Sequence, residues 1–429
     1  MRDWIINKKE IATTPLRVDA LSILEAGYDA IDTKTVIQEE LKWDEATKTL
    51  CIQNENLCFP EYEHVYVVAI GKCAVEAAHA IEEIVGDDLT GGVVLDVHPG
   101  AFRKLKSLVG THPLPTQENV DATKEIVSLL TEVGEKDLVI VVVSGGGSSL
   151  LCSPYEMSCA TLSNITSSLM HAGATIQELN TVRKHLSKVQ GGQLAKIIYP
   201  ATVVGLLFSD VMGDDISMVA SGAFSKDETT AEDASAILAK YEVLATCELP
   251  HCEVQETPKE DEYFRKVKTI VVVNNERALE AMKKKAEELG YRGVIVTRDL
   301  SGEARDVGLA LSQETRGPHT AYIYGGETTV TVKGHGKGGR NQELALGALG
   351  SIQNNQVLIS AASDGIDNSD RAGAIADSIS KDAVHAMKLS ITEYLEDNNS
   401  YEVWEKIGAH ITTGITGSNV ADLLLVLQK

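Results

Sequence analysis

Two kinds of apolar stretch alternate along this chain. Short runs with few polar interruptions occur at Val65 to Ile70, Asp137 to Val143, Thr202 to Phe208, Val267 to Val273, Thr320 to Tyr324 and Val357 to Ala361. Their length and β-branched content predict strands, the first three of them buried. Gly293 to Thr297 predicts a further strand and Leu50 to Ile52 a short one. Between the runs, apolar residues return at helical spacing, as in Cys73 to Val85, where Val75, Ala78, Ile81 and Ile84 share a face. Helices are likewise expected over most of the first forty residues and at 161–172, 231–241, 276–289 and 302–312. Strands and helices in alternation predict an α/β fold of two Rossmann-like domains. From Cys247 to Glu262 the composition turns polar and acidic around Pro250 and Pro258, which places the expected boundary between residues 1–255 and 256–429.

Chemistry gathers where the strands end. Gly71 and Lys72 follow the first buried run at the start of a helix, where a cation opposes the helix dipole. Lys72 suits that position if an anion lies between it and the helix; the alternative is a tolerated surface lysine. Ser144 to Ser149 (SGGGSS) follows Asp137 to Val143, and open α/β sheets bind ligands at the carboxyl ends of their strands. Backbone N–H groups there and the hydroxyls of Ser148 and Ser149 suit phosphate, although no G-K-[ST] closes a Walker loop. Ser209 to Asp215 (SDVMGDD) and Ser363 to Asp370 (SDGIDNSD) put carboxylates at two more strand ends. Such groups can hold a divalent cation, take a proton, or cap a turn.

The densest signal is Gly325 to Glu343, GGETTVTVKGHGKGGRNQE. Thr328 to Val332 alternates Thr and Val, which predicts a half-buried strand in a hairpin with the run before it. Gly334, Gly336, Gly338 and Gly339 then surround Lys337 and lead through Arg340 into a helix. Glycine this dense lets backbone N–H groups approach an anion at a helix N-terminus. Two cations inside the loop favour that over a mobile surface connection. The cluster Arg183, Lys184, His185 and Lys188 reads instead as a solvated helix face.

Composition narrows the choice. Of 429 residues 43% are hydrophobic, and no run approaches a membrane span. A formal charge of −23 opposes nucleic acid or an anionic membrane as partner. The first ten residues lack the apolar core of a secretory signal, and the seven cysteines form no C-x-x-C pair, so free thiols in a reducing cytoplasm are expected and a zinc site is not. An anion site in so acidic a chain must concentrate its cations, which makes those inside glycine-rich loops the informative ones.

Taken in order, Gly71-Lys72, SGGGSS, SDVMGDD, GGETTVTV with GKGGRNQE, and SDGID closely resemble the motifs of class II glycerate 2-kinases, whose C-terminal part is the MOFRL domain. The resemblance runs from about residue 15 onward; Met212, Ala223 and Ile415 stand where the family usually has Pro. It implies transfer of the γ-phosphoryl group of ATP to the 2-hydroxyl of D-glycerate, with Mg²⁺. It further implies Lys72 and Arg340 as the cations nearest the reacting and substrate groups, and Asp210 as the base or as the group that orients the hydroxyl. Ser144, Gly145, Gly146, Gly147, Ser148 and Ser149, with Gly338 and Gly339, would then cradle phosphate, and Asp214, Asp364 and Asp367 would hold the metal. Because these groups come from both halves of the chain, an interdomain cleft is expected. A homo-oligomer is compatible with this reading. Two rivals remain: an NAD(P)H-dependent hydroxypyruvate reductase, disfavoured by the lack of a G-x-G-x-x-G after a strand, and a non-catalytic sugar-phosphate-binding protein.

Overall fold

The computed structural model describes residues 2–209, 219–247, 249, 251–314 and 317–429. It divides into two compact units, Val36–Val272 and Met1–Thr35 together with Val273–Lys429. This differs from the expected 1–255 and 256–429 at both ends. Val267–Val273 adds an edge strand to the first sheet, and the N-terminal helices belong with the second.

In the unit Val36–Val272, β1 (Leu41–Asp44), β2 (Thr49–Ile52) and β3 (Glu55–Cys58) form a small antiparallel sheet. The main sheet has the order β6-β5-β4-β7-β8-β9, from β4 (His64–Ile70), β5 (Gly91–Asp96), β6 (Leu105–Val109), β7 (Asp137–Val143), β8 (Thr202–Phe208) and β9 (Val267–Val273). Strands β4 to β8 are parallel. All of β7 is buried, as its uninterrupted apolar run requires of a central parallel strand. The chain builds outward from β4 to β6, then returns to lay β7 on the other side of β4. The carboxyl ends of β4 and β7 therefore flank the point where strand order reverses, the usual crevice for ligands in such sheets.

The second unit holds β10 (Arg292–Leu300), β11 (Thr320–Gly326), β12 (Gln356–Ala362), β13 (Gly373–Asp377), β14 (His410–Ile411) and β15 (Asp422–Gln428), in the order β10-β11-β15-β12-β13-β14. Only β10 and β11 pair in parallel; the other ladders are antiparallel. The α/β class is as expected, but this sheet is mixed rather than Rossmann-like. The helix Pro15–Ala30 is fastened to it by a buried ion pair, with Arg17 Nε and Nη2 donating to Asp377 (2.6 and 2.7 Å), and by Tyr28 Oη donating to Ala362 O (2.9 Å).

The expected strand at Thr328–Val332 does not form. Thr329 bridges the backbone at Glu303, with Thr329 N donating to Gly302 O and Thr329 O accepting from Ala304 N (both 2.8 Å), and Thr331 N donates to the Glu303 carboxylate at 3.0 Å, so the turn at 302–304 holds these residues in place of a hairpin partner.

Candidate active site

The loops after β4 and β7 come together at the point of strand reversal. Lys72 N donates to Gly145 O (3.0 Å), and Cys73 N donates to Ser144 Oγ (3.2 Å). Gly71 and Gly146 have φ of +127° and +82°, and a Cβ on Gly146 would lie 3.3 Å from Lys72 Cγ. Glycine is needed at both because the backbone is left-handed there and no Cβ fits between the loops. Lys72 and Ser144–Ser149 are thus brought together as expected. The N-terminus of the helix Ala74–Val85 also has a carboxylate that sequence reasoning missed. Asp96, buried at the end of β5, accepts from Val75 N (3.0 Å) and Val97 N (2.6 Å). Burial raises its pKa, and these N–H donors partly offset that. An anion is therefore not needed to explain a cation at this helix start, since Asp96 already complements the dipole.

Beside the same loop lies an open cavity lined by Ser148, Ser149, Arg183 and Gln190 among others. Gln190 Nε2 steadies the loop by donating to Ser148 O (2.9 Å), and Ser221 Oγ lies 3.0 Å from Ser148 Oγ. The cluster expected as a solvated face is largely internal: Lys184 is buried against Asp227 (3.1 Å) and His185 is fully buried, while only Lys188 is exposed. The helix ends at His185, so Lys184 and Lys188 do not share a helical face.

The glycine-rich stretch before the helix Arg340–Leu349 is arranged differently. Lys333 N and Gly334 N donate to Asn398 Oδ1 (2.7 and 3.0 Å), His335 N to Asp397 Oδ1 (2.9 Å), Gly336 N to Asp397 O (2.8 Å) and Lys337 N to Asn399 Oδ1 (3.3 Å). A Cβ on Gly336, Gly338 or Gly339 would overlap Asn399, Ser400 or the Asp367 carboxylate respectively. Asp367 also occupies the helix N-terminus, accepting from Asn341 N (3.0 Å) and Gln342 N (2.8 Å) and from both side-chain amides. The glycines approach an anion closely, but the anion is the protein's own. Beside Gly338 and Gly339, expected to cradle phosphate, the Asp367 carboxylate stands at the helix start.

Arg340 is likewise engaged. Its Nε and Nη2 donate to Asp422 (2.5 and 3.1 Å), and Nη2 lies 2.9 Å from Glu327. Burial works against its charge, but Asp422 more than offsets this and keeps the guanidinium protonated. Burial raises the pKa of Asp422, with Arg340 opposing, and pushes Asp367 up to about 6 despite the N–H donors of Gln342 and Asn341. The fork expected to grip substrate grips Asp422.

Residues 19–253 match the family described as a domain of unknown function (DUF4147), and residues 320–422 match the MOFRL family. The chain is 37% identical to D-glycerate 2-kinase of Thermotoga maritima over 381 residues, covering 85% of this chain and 91% of that one. It is 39% identical to glycerate 2-kinase of Pyrococcus horikoshii over 389 residues, covering 85% and 87%. The chain belongs to the glycerate 2-kinase family. A crystal structure of glycerate kinase from Thermotoga maritima superposes with a TM-score of 0.81 at 34% identity, covering 96% of this chain and 99% of that one.

No three His, Cys, Asp or Glu side chains gather to hold an ion among the described residues. Asp367, expected as a metal ligand, caps the helix Arg340–Leu349, where its oxygens accept from four N–H groups of Asn341 and Gln342. Asp364 lies just past β12 and accepts from Ile366 N (2.9 Å). Asp210 and Asp214 lie outside the described residues. Among the described residues no helix is long and apolar enough to cross a membrane.

Proposed function

We propose that this protein transfers the γ-phosphoryl group of ATP to the 2-hydroxyl of D-glycerate. The observation that carries the reading, beside the family, is the meeting of Lys72 with Ser144–Ser149 at the reversal of strand order. Phosphoryl transfer asks a protein mainly for positioning and for positive charge aimed at the transferring group. Lys72 supplies that charge, and the Ser144–Ser149 loop holds phosphate oxygens through its hydroxyls and the N–H groups other than those of Ser144, Gly147 and Ser149, which are bonded to Ile70 O, Ser144 O and Gly146 O. The glycerate O2 forms the new bond to phosphorus while the bond to the β,γ-bridging oxygen breaks, and ADP leaves with that electron pair. Asp210 is the proposed acceptor of the hydroxyl proton. Arg340, occupied by Asp422 and Glu327, has no direct substrate contact in this reading. Mg²⁺ enters only as the ion that accompanies ATP, with no protein ligand assigned to it. The seven free thiols suit a reducing cytoplasm.

The test is phosphorus NMR of the products formed from ATP, Mg²⁺ and D-glycerate. 2-Phosphoglycerate is the expected product. Its absence, together with oxidation of NAD(P)H on addition of hydroxypyruvate without ATP, would replace this reading with the reductase.

A further inference from the structure

Arg183 is the unexplained cation of the first unit. It sits in the last turn of the helix Ile176–His185 and is half-buried against the cavity beside Ser148 and Ser149. Its guanidinium has no ion pair or hydrogen bond among the described residues, and burial lowers its pKa with no carboxylate opposing. No Asp or Glu lines that cavity among the described residues, although the chain carries 62 acidic residues. Ser163, another lining residue, has a buried Oγ with no hydrogen-bond partner among the described residues. The remaining polar walls include the hydroxyl-bearing Ser153 and Thr166, and among the described residues no aromatic ring lines the cavity to stack a base.

A half-buried cation with no counter-charge among the described residues is costly to a fold, and proteins keep such a cation where a ligand completes it. A guanidinium offers two parallel N–H donors that match a carboxylate or a phosphate. We infer that this cavity is an oxyanion subsite in which Arg183 takes the carboxylate of a small hydroxy acid, with the lining hydroxyls receiving its polar groups. The assignment rests on the proposed glycerate kinase reading and explains its regiochemistry. The 2-hydroxyl is on the carbon that bears the carboxylate, so a two-pronged grip on that carboxylate fixes O2 and leaves O3 free to turn. The end of the helix offers Arg183 only the partial negative charge of carbonyls, which any cation would satisfy. The fork is what a carboxylate selects.

Calorimetric titration of the full-length protein with D-glycerate, and separately with ATP, tests this without turnover. Arg183→Met should weaken glycerate at least about tenfold, the loss of one charge-assisted contact, and leave ATP within about twofold of wild type, as for a site not touched. Its Tm should equal or exceed that of wild type, since a desolvated charge is removed; Arg183→Lys should fall between in affinity. Unchanged glycerate affinity in Arg183→Met overturns the subsite. Weakened ATP with glycerate intact overturns the carboxylate and makes the cavity a nucleotide phosphate site. A lower Tm with both affinities intact makes Arg183 structural. If wild type binds glycerate but forms no phosphoglycerate, the kinase reading fails and the subsite stands. If wild type forms phosphoglycerate while Arg183→Met binds glycerate normally, the subsite fails and the kinase reading stands.

Discussion

The SGGGSS loop after β7 and the GHGKGGR loop before Arg340 are both glycine-rich, both border cations and both lead into helices, yet their polar groups face different partners. In the second, the N–H groups of residues 333–337 are bonded to the Asp397–Asn399 turn, Asp367 covers the helix start, and Asp422 takes the Arg340 fork. In the first, Ser144 N, Gly147 N and Ser149 N are also bonded within the protein, but the loop packs on Lys72 and opens onto a cavity that no carboxylate lines among the described residues. Glycine density states that backbone will approach something closely. Whether that is a ligand or the protein's own chain depends on residues far away in sequence, such as Asp367 and Asn398.

If the contrast is real, damage to the first loop should cost rate and damage to the second should cost stability. Lys72→Ala should lower kcat by about a hundredfold or more, the usual effect of losing one preorganised transition-state donor, with circular dichroism and Tm unchanged. A variant that keeps wild-type kcat but melts earlier would reverse the comparison. Gly339→Ala should then destabilise by about 2 kcal/mol, since a Cβ there overlaps the Asp367 carboxylate and its backbone cap. Denaturant melting measures this, and a wild-type midpoint would mean that the loop can shift and that its glycine serves something else.

Arg340→Lys gives a finer discrimination. One of two charge-assisted bonds to Asp422 is lost, so stability should fall by about 1 kcal/mol while kcat/KM for glycerate changes less than about threefold. A large loss of kcat/KM at unchanged stability would return Arg340 to substrate contact. The smallest effect concerns pH. Asp367 is raised in the folded protein to about 6, so between its unfolded pKa and that value the folded state holds a proton that the unfolded state has released. Its contribution must therefore weaken as pH rises from about 4 to about 6. The slope of unfolding free energy against pH should be less negative over that window in Asp367→Asn than in wild type.

Much of this was legible locally. The runs Val65–Ile70 and Asp137–Val143 announced the central strands because a parallel strand covered on both faces needs no alternation. Lys72 and Ser144–Ser149 could be paired because both follow such runs. What escaped was decided at long range. Arg17 finds Asp377 across 360 positions, and nothing in the first helix foretells that the second sheet will receive it. Thr328–Val332 has the period of a strand, but its backbone meets only the short turn at Gly302–Ala304, and the Glu303 carboxylate holds the next residues. Arg183 looked solvated because its immediate neighbours are basic. The cavity in front of it is built by Ser148, Ser163 and Gln190 from separate elements.

The position of β15 carries a consequence for synthesis. This strand comes after every other in the chain but lies between β11 and β12 in the middle of its sheet, while helix Pro15–Ala30 is among the first segments made. The ribosome therefore releases all of Val36–Val272 before the second sheet can close, and the early helix must wait, exposed, for β12, β13 and β15. Limited proteolysis of nascent chains stalled before Asp422 should find the Val36–Val272 unit protected and the first helix cut; equal protection of both would show that the helix docks before its sheet is complete.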